Sequence, residues 1–289
     1  MGPDYIFHFL IVFLINSIIV VSLSVTIGKL GLLSLGNMTF FAVGAYFSVL
    51  TNLNGLPFIF SFLGAGLIGA IMVVFITFIM KRVKGDYFVV GTLAFALIVS
   101  TIFIGWSSLT RGPLGIPGIP KPEIFGYVFN SNLEYFLLVL FIFLIYLLFL
   151  YLLSKSPFYL VLDSIRDNEL GSKILGYNTF KIKLVMMGII GFLTGLAGSL
   201  HSHYISFIDS SIGNIHLIAY VLVLVIVGGI GSVRGAIAST FVIMITLEFL
   251  SLLSLPGDVL GPLRQMLYAV VLILVIWLRP KGIFGRVEL

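Results

Sequence analysis

Nine apolar runs follow one another along the chain, at about 5 to 27, 34 to 53, 57 to 80, 86 to 106, 135 to 153, 184 to 205, 216 to 230, 235 to 254 and 263 to 278. About 20 apolar residues in a helix cross the roughly 30 Å hydrocarbon core of a bilayer. The pattern therefore predicts an all-α, polytopic helical membrane protein. Two Gly-rich interruptions, "GKLGLLSLGN" and "VGGIGSVRGA", read equally well as loops, re-entrant turns or breaks within a helix, so eight to ten crossings remain open.

One stretch departs from this pattern. "SPFYLVLDSIRDNELGSKILGYNTFKIK", residues 156 to 183, alternates apolar and charged positions. Ser156 suits an N-cap and Pro157 the first helical position, where a missing N–H costs nothing. Phe158, Val161, Leu162 and Ile165 then recur on one helical face while Asp163, Arg166 and Asp167 turn the other way. A second short turn through Lys173 to Leu175 stops at Gly176, and Asn178 or Thr179 caps the next membrane helix. Two short helices on the membrane surface suit protein docking. The other long connection, 107 to 134, contains "TRGPLGIPGIPKP", whose Gly and Pro favour turns and extended backbone. No repeat or soluble domain interrupts the series, so residues 1–289 read as a single transmembrane domain with a surface loop at 154–183 and an opposite loop at 107–134.

Composition agrees with a bilayer, since 60% of residues are hydrophobic and 9% charged, against about a quarter charged in soluble domains. Alternate threading of nine crossings puts the N-terminus outside and the C-terminus inside. It gathers 13 of the 16 basic residues inside, with Arg111, Lys121 and Arg264 outside. The positive-inside rule accounts for this asymmetry without nucleic acid as a partner. "MGPD" carries no basic n-region, so the first run reads as a retained helix in the cell membrane.

The absent chemistry is informative. There is no G-x-x-x-x-G-K-S/T, so any ATP is hydrolysed by another subunit. No H-E-x-x-H, G-x-S-x-G or carboxylate pair within one segment points to catalysis. His201 and His203, two apart in "HSHY", point about 200° from each other in a helix, so no metal site is expected. Glu248 is an acid inside an apolar run and thereby a pathway candidate. Asn16, Ser34, Asn37, Thr39 and Thr92 either face a pathway or bond across helices.

Several blocks resemble the permease subunits of ABC importers for branched-chain amino acids, on the LivM side of the pair. "GLLSLGNMTFFAVGAYFS" is similar to that family's GQ-x-SLGH-x-x-FFG-x-GAY, "GDYFVVGTLAFALI" to G-x-YF-x-x-x-TLAF, and "TRGPLGI" to TGG-x-x-G-I/L. "SPFYLVLDSIRDNELGSKILGYN" resembles the SPFGRALRAIRDNE-x-x-A-x-x-LG-x-N loop, and "GLAGSL", "VGGIGSVRGA" and "RPKGIFG" complete the series. The chain departs from the pattern at Leu32, Asn37, Ala236, Tyr159, Leu160 and Asp163, which stand where Gln, His, Pro, Gly, Arg and a basic residue are usual.

The resemblance implies a type II ABC importer-like permease. Its partners would be a paralogous LivH-type permease, two ABC ATPases that hold ATP and Mg, an extracytoplasmic substrate-binding protein and membrane lipid. No cofactor would sit in this chain, which would not itself be an enzyme. Phe158, Val161, Leu162, Ile165, Arg166, Asp167, Asn168, Glu169 and Gly176 would couple to the ATPase, with the four apolar residues as the docking stripe. Ser34, Asn37, Phe40, Phe41, Tyr87 and Thr92 would border the translocation path, with Glu248 added from its position. Branched-chain amino acids are the expected cargo; urea or short amides are the alternative within the family, and a stand-alone carrier or channel outside it.

Overall fold

In the computed structural model, the described residues are 2–83, 85–252, 257–278 and 282–284. In chain order its helices are α1 (Pro3–Leu30), α2 (Asn37–Leu53), α3 (Phe58–Ile79), α4 (Asp86–Gly105), the single turn α5 (Ser107–Thr110) and α6 (Asn132–Ser154). They continue as α7 (Pro157–Asp167), α8 (Glu169–Ile174), α9 (Thr179–Ile205), α10 (Ile215–Gly228), α11 (Val233–Leu252) and α12 (Gly257–Leu278). The protein is a polytopic helical membrane protein. Each of the nine apolar runs forms a helix, and six of those helices are long and apolar enough to cross a membrane. The exceptions include α2 and α10, of 17 and 14 residues, about 25 and 21 Å long.

The connections gather at two ends. The turn after α1, the α3–α4 turn, the α7–α8 arm and the turn between α10 and α11 share one end, which holds Lys29, Lys81, Arg82, Lys155, Arg166, Lys173, Lys181, Lys183 and Arg234. Lys84, Arg279, Lys281 and Arg286, assigned above to the same side, lie outside the described residues. At the opposite end the 106–131 loop is tied down in extended pieces. Ile116 and Pro117 pair with Ile208 and Phe207, Glu123 and Ile124 with Val128 and Tyr127. His203 bonds the carbonyl of Pro120 at 2.9 Å. A carbonyl only accepts, so Nδ1 is the donor and Nε2 accepts from Ser48, 3.1 Å away, which takes a proton in turn from Ser199 at 2.6 Å.

Small residues set the packing. α2, α3 and α9 approach so closely that a Cβ on Gly44 would sit 2.6 Å from Cα of Gly195, and one on Gly69 2.5 Å from the Gly191 carbonyl. Lipid is as apolar as Leu, so helices in it associate through close dispersion contact, which Gly permits. α1 is enclosed by α6, α9, α10 and α11, with 72% of its apolar window buried against 22% for α4 and for α6. The latter two turn most of their surface to lipid or a partner.

Both short helices start away from the two ends, α2 buried in the bundle and α10 with Ile215 and Leu217 exposed. Gly31, at φ 63°, ends α1 and returns its N–H to Ile27, and the chain then turns back into the protein. The N–H of Leu35 reaches the Thr92 hydroxyl at 3.1 Å, which sets the start of α2 about 9 Å along α4 from Asp86. From the other end, the 3-10 turn Ser210–Gly213 descends until a Cβ on Gly213 would lie 3.7 Å from that of Ala42, and α10 follows. The two Gly-rich interruptions meet: the backbones of Gly28 and Gly231 leave no room for a Cβ on Gly28, and Ser24 accepts the Gly231 N–H at 3.1 Å.

Candidate functional site

The α7–α8 arm lies across the basic end. Its sequence folds as the spacing predicts: Pro157 opens α7, Asn168 caps α8 by accepting from Gly171 N–H at 2.8 Å, Gly176 turns at φ 89°, and Asn178 caps α9 by accepting from Lys181 N–H at 3.1 Å. The expected docking stripe, however, faces inward. Leu162 and Ile165 are buried in this chain, at 0% and 1% exposure, and Phe158 and Val161 are half-buried. The ends of α1, α6 and α9 offer apolar surface, and an amphipathic helix lying on them turns its apolar face that way. The apolar groups left facing water are Leu160, Leu170, Ile174 and Leu175, Ile174 being 86% exposed.

The arm's charges also serve the chain first. Lys29, at the end of α1, binds both carboxylate oxygens of Asp163 at 2.7 and 2.8 Å and lies 4.0 Å above the Tyr159 ring. Two of the three departures from the family's loop pattern, Tyr159 and Asp163, thus hold one ammonium. Arg166 donates to the Gly28 carbonyl at 2.6 Å and pairs with Asp167 at 2.8 Å. Glu169 staples α8 to α9: it binds Lys173 and Lys183, each at 2.8 Å, and accepts from Thr179 at 3.2 Å. Partial burial pushes the Glu169 carboxyl up, but the two lysines outweigh this and hold it at about 2. Arg166 and Glu169 are therefore internal fasteners, while Asp167 and Asn168 are exposed.

Of the pathway candidates, Ser34, Asn37, Phe40, Phe41 and Thr92 are all buried and come together at the start of α2, with the Phe40 and Phe95 rings 6.4 Å apart. Tyr87 does not join them. It is 81% exposed on the outer face of α4. Glu248 is half-buried on α11, which packs on α1, α10 and α12. The His201 ring lies tilted against Phe41, 5.5 Å between centroids, and His203 is held by Ser48, so these two histidines serve packing and loop anchoring. Beneath the start of α2, a cavity of about 870 Å³ opens at the basic end, walled by Leu32, Phe88, Lys81, Arg166, Glu169 and Lys181 among others.

The family model for the branched-chain amino acid transport system / permease component matches residues 5–276. The chain belongs to that family. It is 30% identical to the high-affinity branched-chain amino acid transport system permease protein LivM of Escherichia coli, over 93% of this chain and 68% of that one. Identity to the Salmonella typhimurium protein of the same name is 29% over the same shares. A probable LivM permease of Methanocaldococcus jannaschii is 27% identical over 70% of this chain and 61% of its own length. No solved structure matches. Sequence reasoning about this permease missed Lys29 as the arm's anchor, because nothing local marks a lysine whose partner lies 134 residues away.

Proposed function

We propose that this permease is one membrane subunit of an ATP-driven importer, with the basic end in the cytoplasm and the 107–134 loop outside. An external binding protein delivers branched-chain amino acids, a LivH-type permease supplies the other half of the path, and two ATPases hold and hydrolyse ATP with Mg. The observation that carries this reading is the α7–α8 arm. It projects at the basic end, presents Leu160, Leu170, Ile174 and Leu175 to water, and is fastened to α1. A solvated connector has no use for four exposed apolar side chains, whereas a docking surface buries them, each full burial being worth about 1.5–3 kcal/mol. Motion of a docked ATPase would pass through Lys29 and Arg166 to α1, and through Gly28 to the Gly231 turn.

The test is to replace both Ile174 and Leu175 with Asp. The variant is expected to insert and purify normally but to lose its ATPase subunits on detergent extraction. Recovery of the complete complex with wild-type uptake would remove the docking role from this face. Impermeant thiol reagents checking single cysteines at positions 174 and 121 in intact cells are expected to label only the latter.

A further inference from the structure

The start of α2 is a buried helix end without a cap. Its N-cap, Gly36, has no side chain to offer, and Asn37 and Met38 are buried at 3% and 4% exposure. The N–H groups of Thr39 and Phe40 turn back to the Gly36 carbonyl, at 2.9 and 3.3 Å. Those of Asn37 and Met38 find no acceptor among the described residues, as expected of the first helical positions when nothing caps them. Two side chains of the same turn are in the same condition: Nδ2 of Asn37 and the hydroxyl of Thr39 are buried without a partner. Nearby hydroxyls give no relief. Ser34 is taken by the Gly36 N–H at 3.3 Å, and Thr92 accepts from Leu35 and donates to the Val89 carbonyl at 2.9 Å.

Three of these donors, the N–H groups of Asn37 and Met38 and the Asn37 amide, lie at the positive end of a helix dipole without an acceptor, which makes a site for an anion. Apolar rings stand beside it, Phe40 and Phe41 on α2 and Phe95 on α4. The exit is also in place. Phe88, which walls the 870 Å³ cavity, lies one helical turn, about 6 Å, before Thr92 on α4. The cavity beyond is lined by Lys81, Arg166, Lys173, Lys181 and Lys183 against the single carboxylate of Glu169. In this conformation the Leu35–Thr92 bond closes the way between them.

We propose that the buried start of α2 is a carboxylate subsite on the transport path. The substrate's α-carboxylate accepts from the N–H groups of Asn37 and Met38 and from the Asn37 amide, while its apolar side chain lies against the Phe cluster. Separation of Leu35 from Thr92 then releases it into the basic cavity. Resting on the importer reading above, this subsite selects cargo that carries a carboxylate, which urea and short amides lack.

The experiment uses the complete reconstituted complex with its binding protein and leucine uptake into proteoliposomes. Asn37→Leu keeps the volume and removes the donors, Asn37→Asp places a like charge in the site, and Asn37→His keeps a donor. Losing a hydrogen bond to a charged group is expected to slow uptake at least about tenfold in Asn37→Leu, and further in Asn37→Asp. Asn37→His should retain most of the wild-type rate. If Asn37→Asp fails to assemble on gel filtration, the Leu and His variants decide. Equal rates in Asn37→Leu and wild type overturn the subsite, and so does equal loss in Leu and His, which would mark a packing role. A wild-type complex that imports urea or short amides but no amino acid overturns the substrate reading itself, before any variant is compared.

Discussion

The contact of α9 with α2 and α3 and the contact of α7 with α1 use opposite chemistry. Between Gly191 and Gly198, α9 meets its neighbours backbone to backbone, with no charged group present. At the basic end, α7 is held to α1 by Lys29, Asp163, Tyr159 and Arg166. The first contact lies where there is no water to compete and no hydrophobic drive, so only close fit holds it. The second lies at the water boundary, where ion pairs are weak, screened and quickly remade. The glycine contact therefore makes a rigid block, and the charged contact a joint that yields more readily.

The harshest way to break this contrast is Gly195→Leu. Its side chain would enter the Ala65 carbonyl, with Cα of Gly66 3.2 Å from the new Cβ. Overpacking of more than about 3 kcal/mol is expected, seen as loss of monodisperse permease on gel filtration. Gly28→Val should cost less, about 1–3 kcal/mol, because only the Gly231 turn must retreat. The complex is expected to assemble and bind ATP while uptake falls at least about tenfold, since the link from arm to turn is wedged open.

The joint itself is sharpened by a double-mutant cycle of Lys29→Ala and Asp163→Ala. Their side chains are 16% and 32% exposed, so a coupling energy of about 1 kcal/mol is expected in thermal unfolding of the purified permease. Reversal of both charges should not restore it, because Asp163→Lys sets a second cation against Arg166 and Lys29→Glu an anion over the Tyr159 ring. A coupling near zero would mean that Tyr159, the Arg166–Gly28 bond and the α7 packing hold the arm.

The smallest effect concerns pH. The Glu169 carboxyl ordinarily titrates near 4.5 and is held at about 2 in the folded arm. A lowered folded value means that the unfolded arm binds the proton more readily, so this stabilisation is complete above about pH 4.5 and is lost as pH falls toward 2. Protection of the α8 amides, measured against their intrinsic exchange at each pH, is expected to fall across that window, and Glu169→Gln to remove the dependence.

Much of the architecture was legible in the sequence. All nine apolar runs form helices, the amphipathic arm lies between the runs where its charge pattern placed it, and Asn168, Gly176 and Asn178 shape its ends. The candidate site was legible in part. Five of the seven pathway residues converge at the start of α2, but Tyr87 points away, Glu248 belongs to another helix group, and Leu162 and Ile165 face their own chain.

The division follows from range. Apolar length, helical period and capping act over a few residues, so the chain alone determined where helices run and stop. An amphipathic period states that a helix has two faces, but not whose surface covers the apolar one; only the packed ends of α1, α6 and α9 decided that for α7. The turn from Gly31 back into the bundle depends on the Thr92 hydroxyl, and the anchoring of the arm on Lys29 and Asp163 meeting across 134 residues. Partners that distant in the chain are brought within hydrogen-bond reach by the fold, and no local pattern records them.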